Sequence, residues 1–173
     1  MKKLLAATAL TAMGSAAFAG GHATEVTLGV ALGFTGPAES LAGDMAAGAE
    51  AAMAEVSESG LFLDAAKVTP VRGDSTCIDA GAAIAVAERL ITGDKVDGIV
   101  GALCSGATGA ILQNVALANG MVMISPSATS PGLSTAEDNG LFFRTAPSDA
   151  RQGVVMTEIL MEQDIMEVAV TTP

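Results

Sequence analysis

Hydroxyl side chains and glycines are concentrated in three short segments that contain few titratable groups. The segments are residues 33–40, 104–108 and 125–131, with the sequences GFTGPAES, CSGAT and SPSATSP. Serine and threonine hydroxyls and free backbone amides hold a small polar ligand by hydrogen bonds, but they do not by themselves supply a general acid or base. The pattern therefore indicates reversible binding of a small polar molecule rather than catalysis.

Two of these segments also have a purely structural interpretation. Ser105 is a candidate N-cap, because serine is preferred at the start of a helix whatever the function. A helix that begins there would also favour a carboxylate or a phosphate at its N-terminus. Residues 125–131 are equally consistent with a turn in which the prolines fix φ. The local chemistry leaves these interpretations open.

The composition excludes several classes of function. The 173 residues have a formal net charge of −11 and contain one histidine and two cysteines. Such an acidic chain cannot neutralise a row of phosphates, so we do not expect it to bind nucleic acid. One histidine and two cysteines are too few to assemble a zinc or iron site, and we expect neither a metal nor a cofactor.

The N-terminus is organised like a secretory signal peptide. Lys2 and Lys3 precede an apolar run over residues 4–17, and residues 17–19 (AFA) fit the small-x-small site of signal peptidase. The run is too short to be a membrane span. We therefore expect residues 1–19 to be removed by cleavage after Ala19 and the protein to be periplasmic.

The predicted export gives the two cysteines a structural meaning. Cys77 and Cys104 are the only cysteines in the sequence. An oxidising compartment favours a disulfide between them, and two separately buried thiols are the alternative. In the chain-entropy model, closing this loop stabilises the folded chain by about 3–4 kcal/mol.

Apolar runs of strand length alternate with helical patterns along the chain. Strands are predicted at residues 25–32, 67–72, 96–103, 121–124, 141–145 and 167–172. Helices are predicted to start near residues 44, 79, 105 and 148 and to end near residues 60, 92, 119 and 163. This alternation is typical of βαβ units, so we expect an α/β fold with a doubly wound parallel sheet. Ligand sites in such sheets lie at the carboxyl ends of the strands, where the three hydroxyl-rich segments fall.

Several segments occur in the order and spacing of a known family. They are VTLGVALGFTGP (26–37), GDM with GAE (43–45 and 48–50), an aspartate three residues before the first cysteine, IVGALCSGAT (99–108), MISPSAT (123–129) and FRTAPSDARQG (143–153). On these residues, the chain resembles the N-terminal half of the periplasmic Leu/Ile/Val-binding proteins of ABC transporters, which have the type I periplasmic binding protein fold. The resemblance implies a monomer that binds an aliphatic L-amino acid between two lobes and delivers it to an inner-membrane ABC permease.

Individual site residues follow from the resemblance alone. The α-carboxylate of the ligand is expected to meet Ser105 and the backbone N–H of Thr129. The α-ammonium is expected to meet the carbonyl of Ser127 and the hydroxyl of Thr129. Leu41 or Ala42 is expected near the ligand side chain, at a position where the family has an aromatic residue.

The resemblance also implies a domain organisation. Residues 24–146 correspond to the first lobe, and residues 147–173 correspond to the hinge and the start of a second lobe. Family members are about twice as long, so we expect a truncated or partial form that lacks most of the second lobe and the segment that returns to the first. Paired cysteines at the equivalent positions of family members also favour the disulfide.

Two other functions compete with the transport interpretation. A periplasmic sensor or receptor domain of the same fold would bind the ligand and signal instead of delivering it. An amidase or esterase with Ser105 as its nucleophile would need a general base from outside the three segments. We therefore expect a binding protein and not an enzyme.

Overall fold

A five-stranded parallel sheet with the strand order β2-β1-β3-β4-β5 forms the centre of the computed structural model, which describes residues 25–170. The strands are β1 (Glu25–Leu32), β2 (Lys67–Asp74), β3 (Gly98–Gly101), β4 (Met123–Ser125) and β5 (Phe142–Arg144). The helices are α1 (Glu39–Ser59), α2 (Ala80–Glu88), α3 (Ser105–Ile111), α4 (Leu117–Asn119) and α5 (Asp149–Glu162). A π-helical turn, Arg89–Gly93, extends α2, another, Leu112–Ala116, joins α3 to α4, and a 3₁₀ turn, Pro131–Ser134, precedes β5. The predicted α/β class with a doubly wound parallel sheet is confirmed.

Helices cover both faces of the sheet, because its central strands carry apolar side chains on both sides. Successive residues of β1 point to opposite faces, so Val30 and Leu32 join the cluster under α1, while Ala31 joins the cluster under α2 and α3. The helices contribute small, fully buried side chains that let them approach the sheet closely: Ala42, Ala46, Ala83 and Ala87.

The bounds of β1 are as predicted, and those of β2 to β5 differ from the predictions by at most two residues at either end. β3 is shorter than its apolar run, because its pairing with β1 extends only from Gly98 to Gly101. Val96, at the start of that run, instead donates its N–H to the carbonyl of Leu90 at the end of the preceding helix. Apolar character alone therefore overestimates the length of this strand.

The first helix begins earlier than the sequence pattern predicts. α1 starts at Glu39, so Asp44 lies inside the helix and does not cap it. Ala38 at the N-cap position makes no capping hydrogen bond through its side chain. Ala42 in the first turn is fully buried against the sheet, and this packing rather than a cap fixes the start of the helix. The predicted end is correct, because Gly60 adopts φ +66° and closes the helix in a left-handed conformation.

The starts of the next two helices show one correct and one wrong cap prediction. Asp79 caps α2, since its carboxylate accepts a hydrogen bond from the N–H of Ala82 at 3.0 Å. Cys104 and not Ser105 occupies the N-cap position of α3, and its side chain makes no cap hydrogen bond. Ser105 is the first residue of the helix, so its hydroxyl is available for another role.

The predicted strand at residues 167–172 is not formed in the described part of the chain, which reaches residue 170. Val168 and Val170 are exposed by 58% and 83%. No strand of residues 25–170 pairs with this segment, and an extended segment without a hydrogen-bonded neighbour is not stable in water. The alternating apolar pattern was therefore insufficient to predict a strand here.

Two predictions about membranes and export concern different parts of the chain. The predicted signal peptide, residues 1–19, lies outside the described residues. Within residues 25–170, none of the helices combines the length and the apolar character that crossing a membrane requires.

A disulfide joins Cys77 and Cys104, whose Cα atoms are 5.3 Å apart. The bond connects the loop after β2 to Cys104, which lies between β3 and α3. In the sheet, β1 lies between β2 and β3. Gly33, directly after β1, passes beside the bond, and a Cβ atom at this position would lie 3.2 Å from the Cys77 Sγ atom. The predicted pairing is confirmed, and it holds three strand ends together.

Removing this crosslink should destabilise the protein. The double variant Cys77→Ala/Cys104→Ala should have a free energy of unfolding about 3–4 kcal/mol lower than the wild type, because the unfolded chain regains the entropy of an open loop. Urea unfolding without reductant measures the difference. The reduced wild type should resemble the double variant, and equal stability of all three samples would contradict a stabilising disulfide.

Candidate functional site

The carboxyl ends of all five strands lie on one edge of the sheet, and the hydroxyl-rich segments meet there, as expected for parallel strands. The N–H of Ser130, in the loop after β4, donates to Ser105 Oγ at 3.1 Å. Ser127 Oγ donates to the carbonyl of Leu103 at 2.8 Å. The first bond joins segment 125–131 to segment 104–108, and the second joins it to Leu103, two residues before Ser105.

A buried serine at the end of β4 organises the loop that follows it. Ser125 is fully buried, and its Oγ donates to the carbonyl of Ala102 at 2.6 Å. The same oxygen accepts hydrogen bonds from the N–H groups of Ala128 at 2.9 Å and Ser127 at 3.3 Å. A hydroxyl has one proton and two lone pairs, so this side chain is fully used in folding the loop back over the end of β3.

Thr129 is bonded at two points to the first residue of α5. Its Oγ1 donates to Asp149 Oδ2 at 2.9 Å, and its carbonyl accepts the N–H of Asp149 at 3.0 Å. Because the proton of the Thr129 hydroxyl is directed at a carboxylate, the lone pairs of this oxygen remain as acceptors for another donor.

These contacts leave a small set of polar groups without a partner. The N–H groups of Ser127, Ala128 and Ser130 are all hydrogen-bonded. In contrast, the N–H of Thr129 and the carbonyl of Ser127 have no partner among residues 25–170, and neither does the hydroxyl proton of Ser105. The Thr129 N–H and the Ser105 hydroxyl are thus donors that suit a carboxylate, and the Ser127 carbonyl and the Thr129 hydroxyl oxygen are acceptors that suit an ammonium.

The structure separates the two residues expected near a ligand side chain. Ala42 is fully buried in the cluster of Val30 and Leu32, whereas Leu41 is 54% exposed. Both lie in the first turn of α1, at the carboxyl edge of the sheet. Only Leu41 has a side chain at the surface, so of the two it is the one that a ligand could contact.

Asp74, at the end of β2, holds the loop that follows β1. Its Oδ2 accepts the Thr35 hydroxyl at 2.5 Å, and its Oδ1 accepts the N–H groups of Thr76 at 3.0 Å and Thr35 at 3.3 Å. Burial by itself would raise the pKa of the Asp74 carboxyl, but the hydrogen bonds from Thr35 and from the backbone amides of Thr76, Thr35 and Phe34 outweigh it. The pKa of Asp74 is therefore lower than its usual value.

Arg72, two residues before Asp74 on β2, supports the same loop. Its guanidinium carbon lies 5.3 Å from the ring centroid of Phe34, which is cation–π geometry. The guanidinium also makes a bidentate pair with Glu50 of α1, with distances of 2.6 and 2.8 Å. The hydrogen bonds from Arg72 lower the pKa of Glu50. The first loop is thus fixed to β2 and α1 by contacts within the protein.

Ser125, Asp149 and the supporting role of Asp74 were missed by the sequence analysis. Ser125 and Asp149 lie within segments that it did single out, but no local pattern reveals their partners. Ser125 bonds to a carbonyl 23 positions earlier, and Asp149 bonds to a hydroxyl 20 positions earlier. Such pairs become visible only when the strands are placed side by side.

The arrangement suits binding through neutral donors and acceptors. A serine nucleophile needs a general base within hydrogen-bond reach, but the described partner of Ser105 Oγ is a backbone N–H. Within residues 25–170, no group of three or more His, Cys, Asp or Glu side chains is placed to hold a metal ion.

Residues 25–173 match the family model described as periplasmic binding protein. The chain belongs to the periplasmic binding protein family. Similar curated proteins include the Leu/Ile/Val-binding protein of Citrobacter freundii, 30% identical over 162 residues, which are 94% of this chain and 42% of that protein. The Leu/Ile/Val-binding protein homolog 1 of Brucella abortus is 32% identical over 163 residues, 93% of this chain and 42% of the relative. The chain thus spans about two fifths of the length of these relatives.

Solved structures of periplasmic binding proteins are also similar to this chain. One is the branched-chain amino acid transporter substrate binding protein of Streptococcus pneumoniae, solved in complex with isoleucine. It matches this chain with a TM-score of 0.71 and 29% sequence identity, and the match covers 80% of this chain and 38% of that protein's chain. The leucine binding protein of Thermotoga maritima matches with a TM-score of 0.66 and 25% sequence identity, and this match covers 80% of this chain and 37% of that protein's chain. The family inferred from the sequence motifs is confirmed.

The Asp74 carboxylate should stabilise this periplasmic binding protein at neutral pH but not in acid. Its pKa is lower in the folded chain than the value of about 3.9 expected in the unfolded chain. The stabilisation is therefore present above the unfolded pKa and is lost as the pH falls through the folded pKa. Asp74→Asn should lower the free energy of unfolding at pH 7, and this difference should shrink towards zero below the folded pKa.

Urea unfolding of both proteins over a pH series measures this effect. Asp44→Asn is the matched control, because Asp44 is an exposed carboxylate on α1. The control variant should remain close to the wild type throughout the series. A stability loss in Asp74→Asn that stayed constant with pH would mean that the charge of Asp74 is not what holds the loop.

Proposed function

We propose that this protein is the substrate-binding component of an ABC importer and binds an aliphatic L-amino acid through its α-carboxylate and α-ammonium groups. The observation that carries the proposal is the set of unpartnered groups around Thr129. They are donors on one side and acceptors on the other, and the surrounding polar groups of the loop are already bonded. The zwitterion of an α-amino acid presents the complementary pair of charges on two groups attached to the same carbon.

The carboxylate would occupy the donor side. The N–H of Thr129 and the hydroxyl of Ser105 belong to two loops that the bond between Ser130 N–H and Ser105 Oγ holds together. The Ser105 oxygen accepts that bond and can donate its own proton to the ligand. Hydrogen bonds from neutral donors to an ionised carboxylate are stronger than bonds between neutral groups.

The ammonium would occupy the acceptor side. The carbonyl of Ser127 and the lone pairs of Thr129 Oγ1 are the direct acceptors. Asp149 lies one hydrogen bond behind the Thr129 hydroxyl, so its negative charge favours a cation at this position. Asp149 thus gives the two sides of the site different electrostatic character, which orients the ligand.

Two observations favour an aliphatic ligand. Leu41 presents an exposed apolar side chain at the same edge of the sheet. The relatives are named for the binding of leucine, isoleucine and valine, and the Streptococcus pneumoniae protein was solved with isoleucine. In this proposal the ligand is bound and released without any covalent change.

We further propose that residues 25–146 form one ligand-binding lobe and that residues 147–170 begin a second. In support, α5 has no buried residue. It exposes apolar side chains of a kind that normally pack against other structure: Val154, Met156, Ile159 and Met161. Delivery to an inner-membrane permease would follow closure of two lobes on the ligand.

Ligand binding can be tested by nuclear magnetic resonance titration of the labelled protein with L-leucine, L-isoleucine and L-valine. We expect the amide signals of Ser105, Ser127 and Thr129 to shift with at least one of them. Leucinamide, which lacks the carboxylate, and 4-methylpentanoic acid, which lacks the ammonium, should cause smaller shifts. If none of the three amino acids moved these signals, the proposed ligand class would be wrong.

The site assignment can be tested with Ser105→Ala and Thr129→Ala. Each variant should weaken binding by roughly 1–3 kcal/mol, because each removes a hydrogen bond to a charged group. Ser59→Ala and Thr92→Ala are matched controls, since both side chains lie at the ends of helices and away from the loops of the site. Unchanged affinity in both site variants would contradict the assignment.

The proposed export can be tested by the mass of the protein isolated from the periplasm of its host. Cleavage after Ala19 would leave a chain that begins at Gly20. The mass should also be about 2 Da lower than that of the dithiol form, because the disulfide removes two protons and two electrons. Retention of residues 1–19 in the cytoplasmic fraction would contradict export.

A further inference from the structure

We propose that Arg144 is a positioning residue that fixes the direction of the Thr129 N–H, and this inference rests on the binding function proposed above. Arg144 is the last residue of β5 and is partly buried. Its Nη1 donates to the carbonyl of Ser130 at 2.9 Å and to the carbonyl of Ala128 at 3.2 Å, and its Nη2 donates to Ser134 Oγ. The guanidinium therefore holds the carbonyls on both sides of Thr129.

The planarity of the peptide bond makes these contacts decisive for the site. The carbonyl of Ala128 and the N–H of Thr129 belong to one trans peptide unit, in which they point in opposite directions. Arg144 binds the carbonyl, so the N–H is held on the other side of the loop, where it is unpartnered. The donor for the ligand carboxylate is thus oriented from behind by a residue that does not itself need to touch the ligand.

The preceding peptide is held in the same way by a different residue. The N–H of Ala128 donates to the buried Oγ of Ser125, and this fixes the carbonyl of Ser127 in the opposite direction. Ser125 and Arg144 are direct partners in the pairing of β4 with β5, so the sheet sets both anchors side by side. Ser125 orients an acceptor, whereas Arg144 orients a donor.

Arginine is suited to this task because its planar guanidinium presents several N–H groups in a fixed arrangement. A single guanidinium can therefore hold two carbonyls of one loop at fixed separation. An apolar side chain of similar length would leave both carbonyls without their partner and free the Ala128–Thr129 peptide to rotate.

The experiment compares the wild type with Arg144→Met. Residual dipolar couplings report the direction of the Thr129 N–H bond without any ligand. We expect this bond to change direction in the variant, while the couplings of β1 residues stay unchanged. In titrations, we expect the Kd for L-leucine to rise about tenfold, as for the loss of a hydrogen bond to a charged group. The Kd for leucinamide, which has no carboxylate, should change less than twofold.

Two variants serve as controls. Arg151→Met makes the same substitution on exposed α5 and should leave both readouts unchanged. Ser134→Ala removes only the third partner of Arg144 and keeps both carbonyl bonds, so it should also resemble the wild type. If Arg144→Met fails to fold, Arg144→Gln takes its place, because its amide nitrogen lies two bonds nearer the backbone than Nη1, the nitrogen that donates to both carbonyls.

The outcomes separate this inference from the proposed function. If the wild type binds no amino acid, the proposed function fails, and the Thr129 N–H direction still decides the role of Arg144. An unchanged N–H direction in the Arg144 variant would overturn the positioning role. An equal loss of affinity for L-leucine and leucinamide would also overturn it, because a general structural defect would affect both ligands.

Discussion

The parallel pairing of β1 with β2 on one side and β3 on the other is the interaction on which the rest of the structure depends. Leu32 at the end of β1 lies opposite Asp74, and Ala31 lies opposite Gly101. This register brings the ends of three strands to one line, so that the Cys77–Cys104 disulfide can cross the end of β1. A shift of one residue would exchange the faces of Val30 and Ala31 and place the wrong side chains under the helices.

The loops on this edge contain polar groups that are hydrogen-bonded within the protein and a few that have no partner there. Side-chain hydroxyls and carboxylates satisfy several of the backbone groups, as Ser125 does for the loop after β4 and Asp74 does for the loop after β1. Buried or half-buried polar groups that lack a partner are costly, so the few that remain are informative. Among residues 25–170 they include the N–H of Thr129, the carbonyl of Ser127 and the proton of Ser105, which suit the two ends of a zwitterion.

The site depends on positioning rather than on reactive side chains. Arg72 and Asp74 hold the first loop, while Arg144 and Ser125 hold the loop after β4. Charged side chains therefore act mainly on the protein itself, and in the proposed function neutral groups meet the ligand. Asp149 is the exception, since its carboxylate lies one hydrogen bond from the proposed ammonium position.

Local sequence patterns were sufficient to predict the α/β class, the strand β1, the end of α1 at Gly60 and the three segments that form the edge. These features depend on local chemistry: alternating apolar residues, a glycine that tolerates positive φ, and hydroxyl-rich turns. From local chemistry alone, the two cysteines were also compatible with separate thiols. The motif resemblance favoured a disulfide, and the fold contains it. The family, too, was recognisable from motif order.

The roles of individual residues could be read only from contacts between segments that are distant in the sequence. Ser105 was a plausible cap by its type, but in the fold its oxygen accepts the N–H of Ser130, 25 positions away. Burial of Ala42 explains why α1 starts earlier than predicted, and no strand within residues 25–170 pairs with residues 167–170, where a strand was predicted. Hydrogen bonds and packing between distant segments have no local signature, because the sheet and not the chain sets which residues are neighbours.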